Sequence, residues 1–558
     1  YRRQRQMCIR DRWDASLIDV AFGALSQFNS RVFVVPPANG LSARLLNGYV
    51  YLSPVAAEPA EIERRAGMFM ERAGHYFMNW NDLNDQWMVK VRELVGGLEK
   101  IEIAPLPEFE ELDVVTKGRG LTSGYDLYSA YLQICDAVIK IWNYHFEFLN
   151  LGYAAYLDFF GFCKTAWPSI PDLAIAKMVA GVEVDLFRPD EELKRLAKLA
   201  YESGVADAFA ASDVDATCEI LKSSPAGNAW IASFQESAEP WFNFSTGSGF
   251  YHKDKIWIEN VEVPFEFISN YIDKLARGED LARPLDAIHA ERDRIVNEYM
   301  ELLGSDADRE AFQGKLGLAR TVFPYVENHN FYVEHWTHSV IWRKMRQIGA
   351  VLVKEGFLEA ADDIFYMQRG EIPDALADLY TAWAAPEPAR GPKYWPPIIR
   401  KRRAMVEAMK RQKPPPALGT PPDVITEPFT VMLWGVTSDS VNNWLGASAN
   451  DDGTLKGMSA SPGLVEGVAR VIFSPDQIGE VQDGEILVAP LTAPSWAPIF
   501  GKIAATVTDT GGMMSHAAIV CREYGLPAVT GTSYATSTIK TGQRIRVDGG
   551  TGTVTILE

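Results

Sequence analysis

One segment constrains this chain more than any other: Thr508-Asp509-Thr510-Gly511-Gly512-Met513-Met514-Ser515-His516-Ala517-Ala518-Ile519-Val520-Cys521-Arg522-Glu523-Tyr524-Gly525-Leu526-Pro527-Ala528-Val529. It reads as a buried strand ending at Asp509, a Gly-Gly turn that lets the backbone pass closely, and a helix that starts near Ser515, a residue type that caps well. His516 then stands at a helix N-terminus, where unpaired N–H groups and the positive end of the helix dipole favour an anion. A neutral imidazole is nucleophilic near pH 7 and can hold a phosphoryl group as a covalent phosphoramidate. Thr508, Gly511, Gly512 and Ser515 are the neighbours expected to support the phosphoryl oxygens. An isolated Ser-His pair would read instead as a cap beside a structural histidine, so the surroundings decide.

Those surroundings form a compact pattern of short β runs and Gly turns after Lys456: Gly467 to Ile472, Ile486 to Val488, Ala504 to Thr508, Ala528 to Gly531, Arg544 to Val547 and Thr553 to Ile556. Within it lie Ala460-Ser461-Pro462-Gly463, Gly467-Val468-Ala469-Arg470, Thr492-Ala493-Pro494-Ser495-Trp496, Gly531-Thr532 and Val547-Asp548-Gly549. With these residues the stretch Gly457 to Leu557 resembles the phosphohistidine swivelling domain of the phosphoenolpyruvate-utilising enzymes. The resemblance implies that His516 is the phosphoryl carrier. Cys521 stands where that helix usually has Ala, and a small buried thiol packs much as Ala does.

At 558 residues the chain should hold two to four domains, because domains usually run about 100–200 residues. With 47% apolar and 23% charged residues it is expected to be folded throughout. The formal net charge of -19 argues against duplex nucleic acid or an anionic membrane as partner, since both need a basic footprint. Five scattered cysteines, Cys8, Cys135, Cys163, Cys218 and Cys521, suggest neither a disulfide framework nor a metal site. A cytoplasmic location fits that usage, and no apolar run is long enough to span a bilayer. Tyr1 to Arg12 resemble a translated adapter scar and are left out of fold reasoning.

The fold class expected is multidomain α+β: a large, mainly helical acceptor-binding domain over 13–385, a Pro-rich semi-rigid linker region over 386–456, and a compact β/α swivelling domain over 457–558. Helical periodicity predicts helices near 59–80, 124–160, 171–202, 263–278, 283–304 and 326–355, with short β runs at Val32 to Val35 and Tyr49 to Leu52. The aromatic, Gly-rich segment 239–258 reads either as a surface loop stapled by aromatic burial or as the wall of an aromatic pocket.

At about 100° per residue, Glu327, Glu334 and His338 share a helical face with Met345, Ile348, Gly349 and Leu352. One face thus turns from polar to apolar, as suits a helix that lines a cavity at one end. Transfer of a phosphoryl group to a hydroxyl needs a base and a cation. His338, His335 or Glu334 could be the base, and Arg346, Arg343 or Lys344 the cation; Glu327 completes the candidate set. Taken singly, each could equally be an interhelical or solvated residue. His75, His145, His252 and His289 read as structural, with His252 the likeliest exception.

The order of a helical domain, a Pro-rich linker and a C-terminal swivelling domain resembles rifampicin phosphotransferase without its ATP-grasp domain and the histidine-bearing subunit of phenylphosphate synthase. The residues that carry this are Glu327-Asn328-His329-Asn330-Phe331-Tyr332, Arg343-Lys344-Met345-Arg346-Gln347-Ile348-Gly349 and Asp362-Asp363-Ile364-Phe365-Tyr366. The resemblance implies a phosphotransferase component of the dikinase type. A separate ATP-grasp subunit would bring ATP and Mg2+, no cofactor would be tightly bound to this chain, and the acceptor would be a small phenolic compound. An antibiotic phosphotransferase component and a non-catalytic phosphocarrier are the alternatives. Because no pyruvate-binding barrel follows the swivelling domain here, pyruvate is not the expected acceptor.

Overall fold

The computed structural model describes residues 13, 15–46, 49–411, 418–419, 424–425, 431–432, 435–438, 440–442, 453–473, 475–493 and 496–557. The expected scar, 1–12, and much of the expected linker beyond 411 lie outside them. The chain divides into two compact units, 1–150 with 337–418 and 151–336 with 419–558. The helical region over 13–385 is therefore not one domain, because its residues 151–336, about half of it, pack with the C-terminal β/α part.

In the first unit an antiparallel hairpin, β1 (Ala38–Leu46) and β2 (Tyr49–Ala56), accompanies helices Ala15–Gln27, Pro59–Met78, Trp80–Glu99, His338–Lys354 and Glu371–Ala384. Aromatic burial organises its core. Trp13 meets Trp342 edge to face at 5.6 Å and donates its indole N–H to Tyr131, whose hydroxyl donates to the Arg369 carbonyl. The β run expected at Val32 to Val35 is not a strand. A π turn covers Phe28–Val32, and Phe33 is buried edge to face against Tyr76 instead of pairing in a sheet.

The proline-dense stretch expected as extended linker folds in part as the helix Gly391–Lys410. Pro392, Pro396 and Pro397 fall in its first two turns, where few N–H bonds are lost. Its basic residues are tied down: Arg402 makes a bidentate pair with Glu371 at 2.6 and 2.8 Å, and Arg403 pairs with Asp363.

The second unit joins helices to an eight-stranded sheet. Its strands are β3 (Thr454–Lys456), β4 (Met458–Ser461), β5 (Leu464–Val471), β6 (Ile486–Ala489), β7 (Ala505–Thr508), β8 (Ala528–Thr530), β9 (Arg544–Asp548) and β10 (Thr553–Ile556). The spatial order is β3-β10-β9-β5-β6-β7-β8-β4, with β5 to β8 parallel and the remaining pairs antiparallel. All six expected β runs of this region are strands. The central strands β6 and β7 are buried at every residue, as parallel strands covered on both faces must be.

Two expected helices are interrupted. The one over 171–202 breaks into Asp172–Met178 and Arg188–Glu202, because Gly181 adopts φ +75° and its carbonyl is held at 2.7 Å by the His289 ring. The one over 326–355 starts much earlier, as Asp306–His329, and passes through a π-helical stretch, Asn330–Thr337, before His338–Lys354. A π stretch advances fewer degrees per residue than an α-helix, so the single face predicted through Glu327, Glu334 and His338 does not persist. Segment 239–258 is stapled by aromatic burial, while Tyr251, Lys253 and Lys255 at its tip are exposed. Phe242, Phe244, Ile256 and Trp257 are sealed, and Trp257 N–H bonds the Phe244 carbonyl at 2.9 Å.

The fully buried Ile486 sits in the core of the sheet beside Val488, Val507 and Ile545. Ile486→Ala should cost about 2–5 kcal/mol in denaturant unfolding followed by a signal from the sheet domain; a loss well under 1 kcal/mol would contradict this packing.

Candidate functional site

The chemistry-bearing loop is built at the carboxyl ends of adjacent parallel strands, where open α/β sheets place their ligands. After β7 the backbone stays on the sheet through Asp509 N–H to the Ala489 carbonyl and Thr510 N–H to the Pro490 carbonyl. The Asp509 carboxylate accepts from the backbone N–H and hydroxyl of Thr536, which pins the turn. Gly511 has φ +128°, and a Cβ on Gly512 would come within 2.2 Å of the Met432 carbonyl oxygen. Close packing thus demands this glycine pair. The helix His516–Tyr524 follows, with Ser515 as its extended N-cap and Gly525 at φ +67° as its left-handed terminator.

His516 opens that helix. Its Nδ1 lies 3.0 Å from Thr492 Oγ1, which stands just beyond the end of β6. With the proton on Nδ1 and donated to Thr492, the lone pair is left on Nε2. Nε2 is shut off from solvent and has no hydrogen-bond partner among the described residues. Burial lowers the ring's pKa to about 3, so the imidazole is neutral at physiological pH. The backbone N–H groups of His516, Ala517 and Ala518 precede the first helical bond, Ile519 N–H to the Ser515 carbonyl at 3.0 Å, so none of the three has an acceptor within the helix.

Two expected phosphoryl supports are committed elsewhere. Thr508 is fully buried and donates its hydroxyl to the Thr510 carbonyl, while Ser515 donates to the Gly512 carbonyl. Thr492 is the site residue that the sequence reading left out. Its signal was present as a Thr three residues beyond the end of β6, but only the sheet register brings β6 and β7 side by side. Cys521 is sealed, and burial raises its thiol to about 12, as suits a packing residue and not a redox one.

The same helix packs its outer face on the helices of the second unit. Met513, Met514 and Ile519, which bracket His516, share one apolar cluster with Tyr156, Phe159, Phe312 and Phe323. Buried polar groups surround this cluster. Arg522 donates to the Ala460 and Met513 carbonyls at 2.9 Å each, and Glu523 accepts the Gly181 N–H at 2.9 Å. Glu327 is 4% exposed. Burial pushes its carboxyl to about 8, against the pull of Arg522 and with help from Glu523 and Glu334.

The acceptor candidates divide between the units. In the second, Glu334 is raised to about 7 by loss of hydration, and His335 is buried with Nδ1 accepting the Ser245 N–H at 3.1 Å and its ring 4.1 Å from Phe244. The aromatic ribbon therefore holds His335 in place. In the first, His338 is sealed between Trp142 and Trp342, each 5.4 Å away. Lys344 donates to the Glu99 and Ile101 carbonyls after the helix Trp80–Glu99, and Arg346 pairs with Asp362 at 2.8 Å. These contacts engage both cations, and Arg343 is half-buried on the same helix. The His289 ring holds the Gly181 carbonyl, and His145 is buried beside Trp142, which lowers its pKa to about 3.

An acid whose folded pKa exceeds its unfolded one binds more protons when folded, so Glu327 subtracts stability as pH rises from about 4.5 to about 8. Glu327→Gln should therefore melt higher than wild type at pH 8.5, with the two converging near pH 4.5; equal melting curves at pH 8.5 would show that the carboxyl is not buried.

Residues 481–552 match the family model described as the mobile domain of PEP-utilising enzymes. The chain is 26% identical over 520 residues to chondramide synthase of Chondromyces crocatus, covering 92% of this chain and 13% of that protein. It is 36% identical over 206 residues to a rifampicin phosphotransferase of Streptomyces sviceus, covering 37% of this chain and 20% of the relative. It is 51% identical over 102 residues to a probable phosphoenolpyruvate synthase of Staphylothermus marinus, covering 18% and 12%. The chain thus spans only 12% to 20% of the length of these relatives. The strongest identity falls on a stretch of about the sheet domain's length, and through residues 481–552 the chain carries the mobile domain of the PEP-utilising enzymes.

Proposed function

We propose that this chain is a phosphotransferase component in which His516 carries a phosphoryl group from a nucleotide-bound donor to a hydroxyl acceptor. The observation that carries the reading is the His516–Thr492 pair: a neutral ring at a helix N-terminus with its Nδ1 engaged by a hydroxyl, which leaves the lone pair on Nε2 when Nδ1 carries the proton. In the first step the Nε2 lone pair attacks phosphorus, the N–P bond forms, and the P–O bond to the donor breaks with its electrons on the donor oxygen. The first-turn N–H groups and the helix dipole stabilise the added negative charge. In the second step the acceptor oxygen attacks phosphorus, the N–P bond returns its electrons to Nε2, and the hydroxyl proton passes to a base. Glu334, with a pKa of about 7, suits that base.

The donor in this reading is an ATP-grasp domain on a partner chain, which supplies ATP and Mg2+. The acceptor is a phenol-class hydroxyl, whose lowered pKa eases loss of its proton. A second reading, a rifamycin-type antibiotic as acceptor, is favoured by the 36% identity to a rifampicin phosphotransferase. Both readings keep His516 as carrier and differ only in the acceptor pocket.

The test combines the full chain, an ATP-grasp phosphotransferase protein, labelled ATP and a panel of simple phenols with rifampicin. The expected result is a labelled aryl phosphate that falls to background in His516→Ala and forms about tenfold or more slowly in Thr492→Val, which loses the group orienting the ring. Undiminished product from His516→Ala would overturn the proposal.

A further inference from the structure

A cavity of about 260 Å³ opens in the second unit where the helix Leu285–Glu301 and the turn after Asp172–Met178 face the sheet domain. Its sheet-domain side is formed by Ser461, which ends β4, by Pro462, and by Arg522 and Gly525 from the far end of the His516 helix. Arg522 lies six positions beyond His516, about 9 Å along the axis and about two-thirds of a turn round it. The cavity is therefore apart from the carrier ring.

The charges that line it do not balance. Arg522 is only 8% exposed, and its guanidinium donates to the Ala460 and Met513 carbonyls but forms no ion pair among the described residues. A buried cation held by carbonyls alone lacks the opposite charge that offsets its lost hydration. Arg292 is the second guanidinium of the lining; its partner Asp293 is exposed and does not line the cavity. Glu291 is the one lining carboxylate, and it is already engaged by Lys177 at 3.0 Å and Arg294 at 2.8 Å. Just behind, Arg320 holds the Met178 carbonyl at 2.7 and 2.9 Å, and burial together with the nearby Arg292 keeps its pKa below the ordinary range. Positive charge is thus in excess here, on the residue type whose planar fork matches an oxyanion.

The remaining wall is apolar, from Pro284, Ala287, Ile288 and Pro462. An inorganic ion would leave that wall unused, whereas a small ring bearing an acidic group would use both parts. The volume is below that of drug-sized sites and suits a ligand of one ring. We propose that this cavity is a binding site for a small organic anion, a carboxylate or phosphonate-type head on an apolar body, with Arg292 and Arg522 taking the head. The site makes no use of His516 and stands whether or not the phosphotransfer reading does.

The test is calorimetric titration of the full chain, with no nucleotide present, using benzoate, phenylphosphonate and the neutral benzamide. At least one of the two anions should bind about tenfold or more tightly than benzamide, and the tighter one names the head group. Arg292→Met should weaken that anion about tenfold or more, since a hydrogen bond to a charged group contributes at least that factor. Ala287→Phe, at an exposed position on the rim, leaves every cation in place and fills the cavity, so it should abolish binding even if Arg292→Met proves poorly folded. Benzamide binding as tightly as both anions, or anion binding unchanged in Ala287→Phe, would overturn the site. An anion lodged in an acceptor pocket elsewhere would give that second result.

Discussion

The nine-residue helix His516–Tyr524 has to satisfy two surfaces at once, and the rest of the second unit is arranged around that demand. One side fits the parallel sheet so tightly that Cys521 and Val520 are sealed and a glycine pair is required at the entry. The other side brings Ile519, Glu523 and Tyr524 to the helices. His516 stands at the helix's first position, beside Thr492 and Phe500. Its neutrality follows from burial, its orientation from Thr492, and its attraction for negative charge from the unfinished first turn.

The surface by which this helix meets the helices of the second unit is mixed in character. Methionine and isoleucine supply apolar area without fixed shape, whereas Asp190, Glu523 and Arg522 supply bonds that are costly to leave half-made.

Much of this was legible in sequence, for definite reasons. Six of the eight strands of the sheet domain announced themselves by a short β run between glycine turns, whereas the short β3 and β4 did not, and His516 stood out by its place after Gly511-Gly512. The amphipathic helices also declared themselves. What failed were inferences that needed geometry beyond one element. A 100° rotation per residue carried the face from Glu327 to His338, and the π stretch Asn330–Thr337 breaks that rotation. Charge at Lys344 and Arg346 looked available until the carbonyls of Glu99 and Ile101 and the carboxylate of Asp362 were seen to take it up. Thr492 is twenty-four residues from His516, and only parallel pairing of β6 with β7 makes them neighbours. Proline density misled at 391–410 because proline in the first turns of a helix is tolerated.

The central claim is that the imidazole of His516, and no hydroxyl beside it, bears the phosphoryl group. It is tested most directly by incubating the full chain with its phosphoryl donor and locating the label by its chemistry and its position. The account predicts a single phosphate on residue 516, labile in acid and stable in base, as a phosphoramidate is. Label that survives acid, or that maps to Thr492, Thr508 or Ser515, would contradict it.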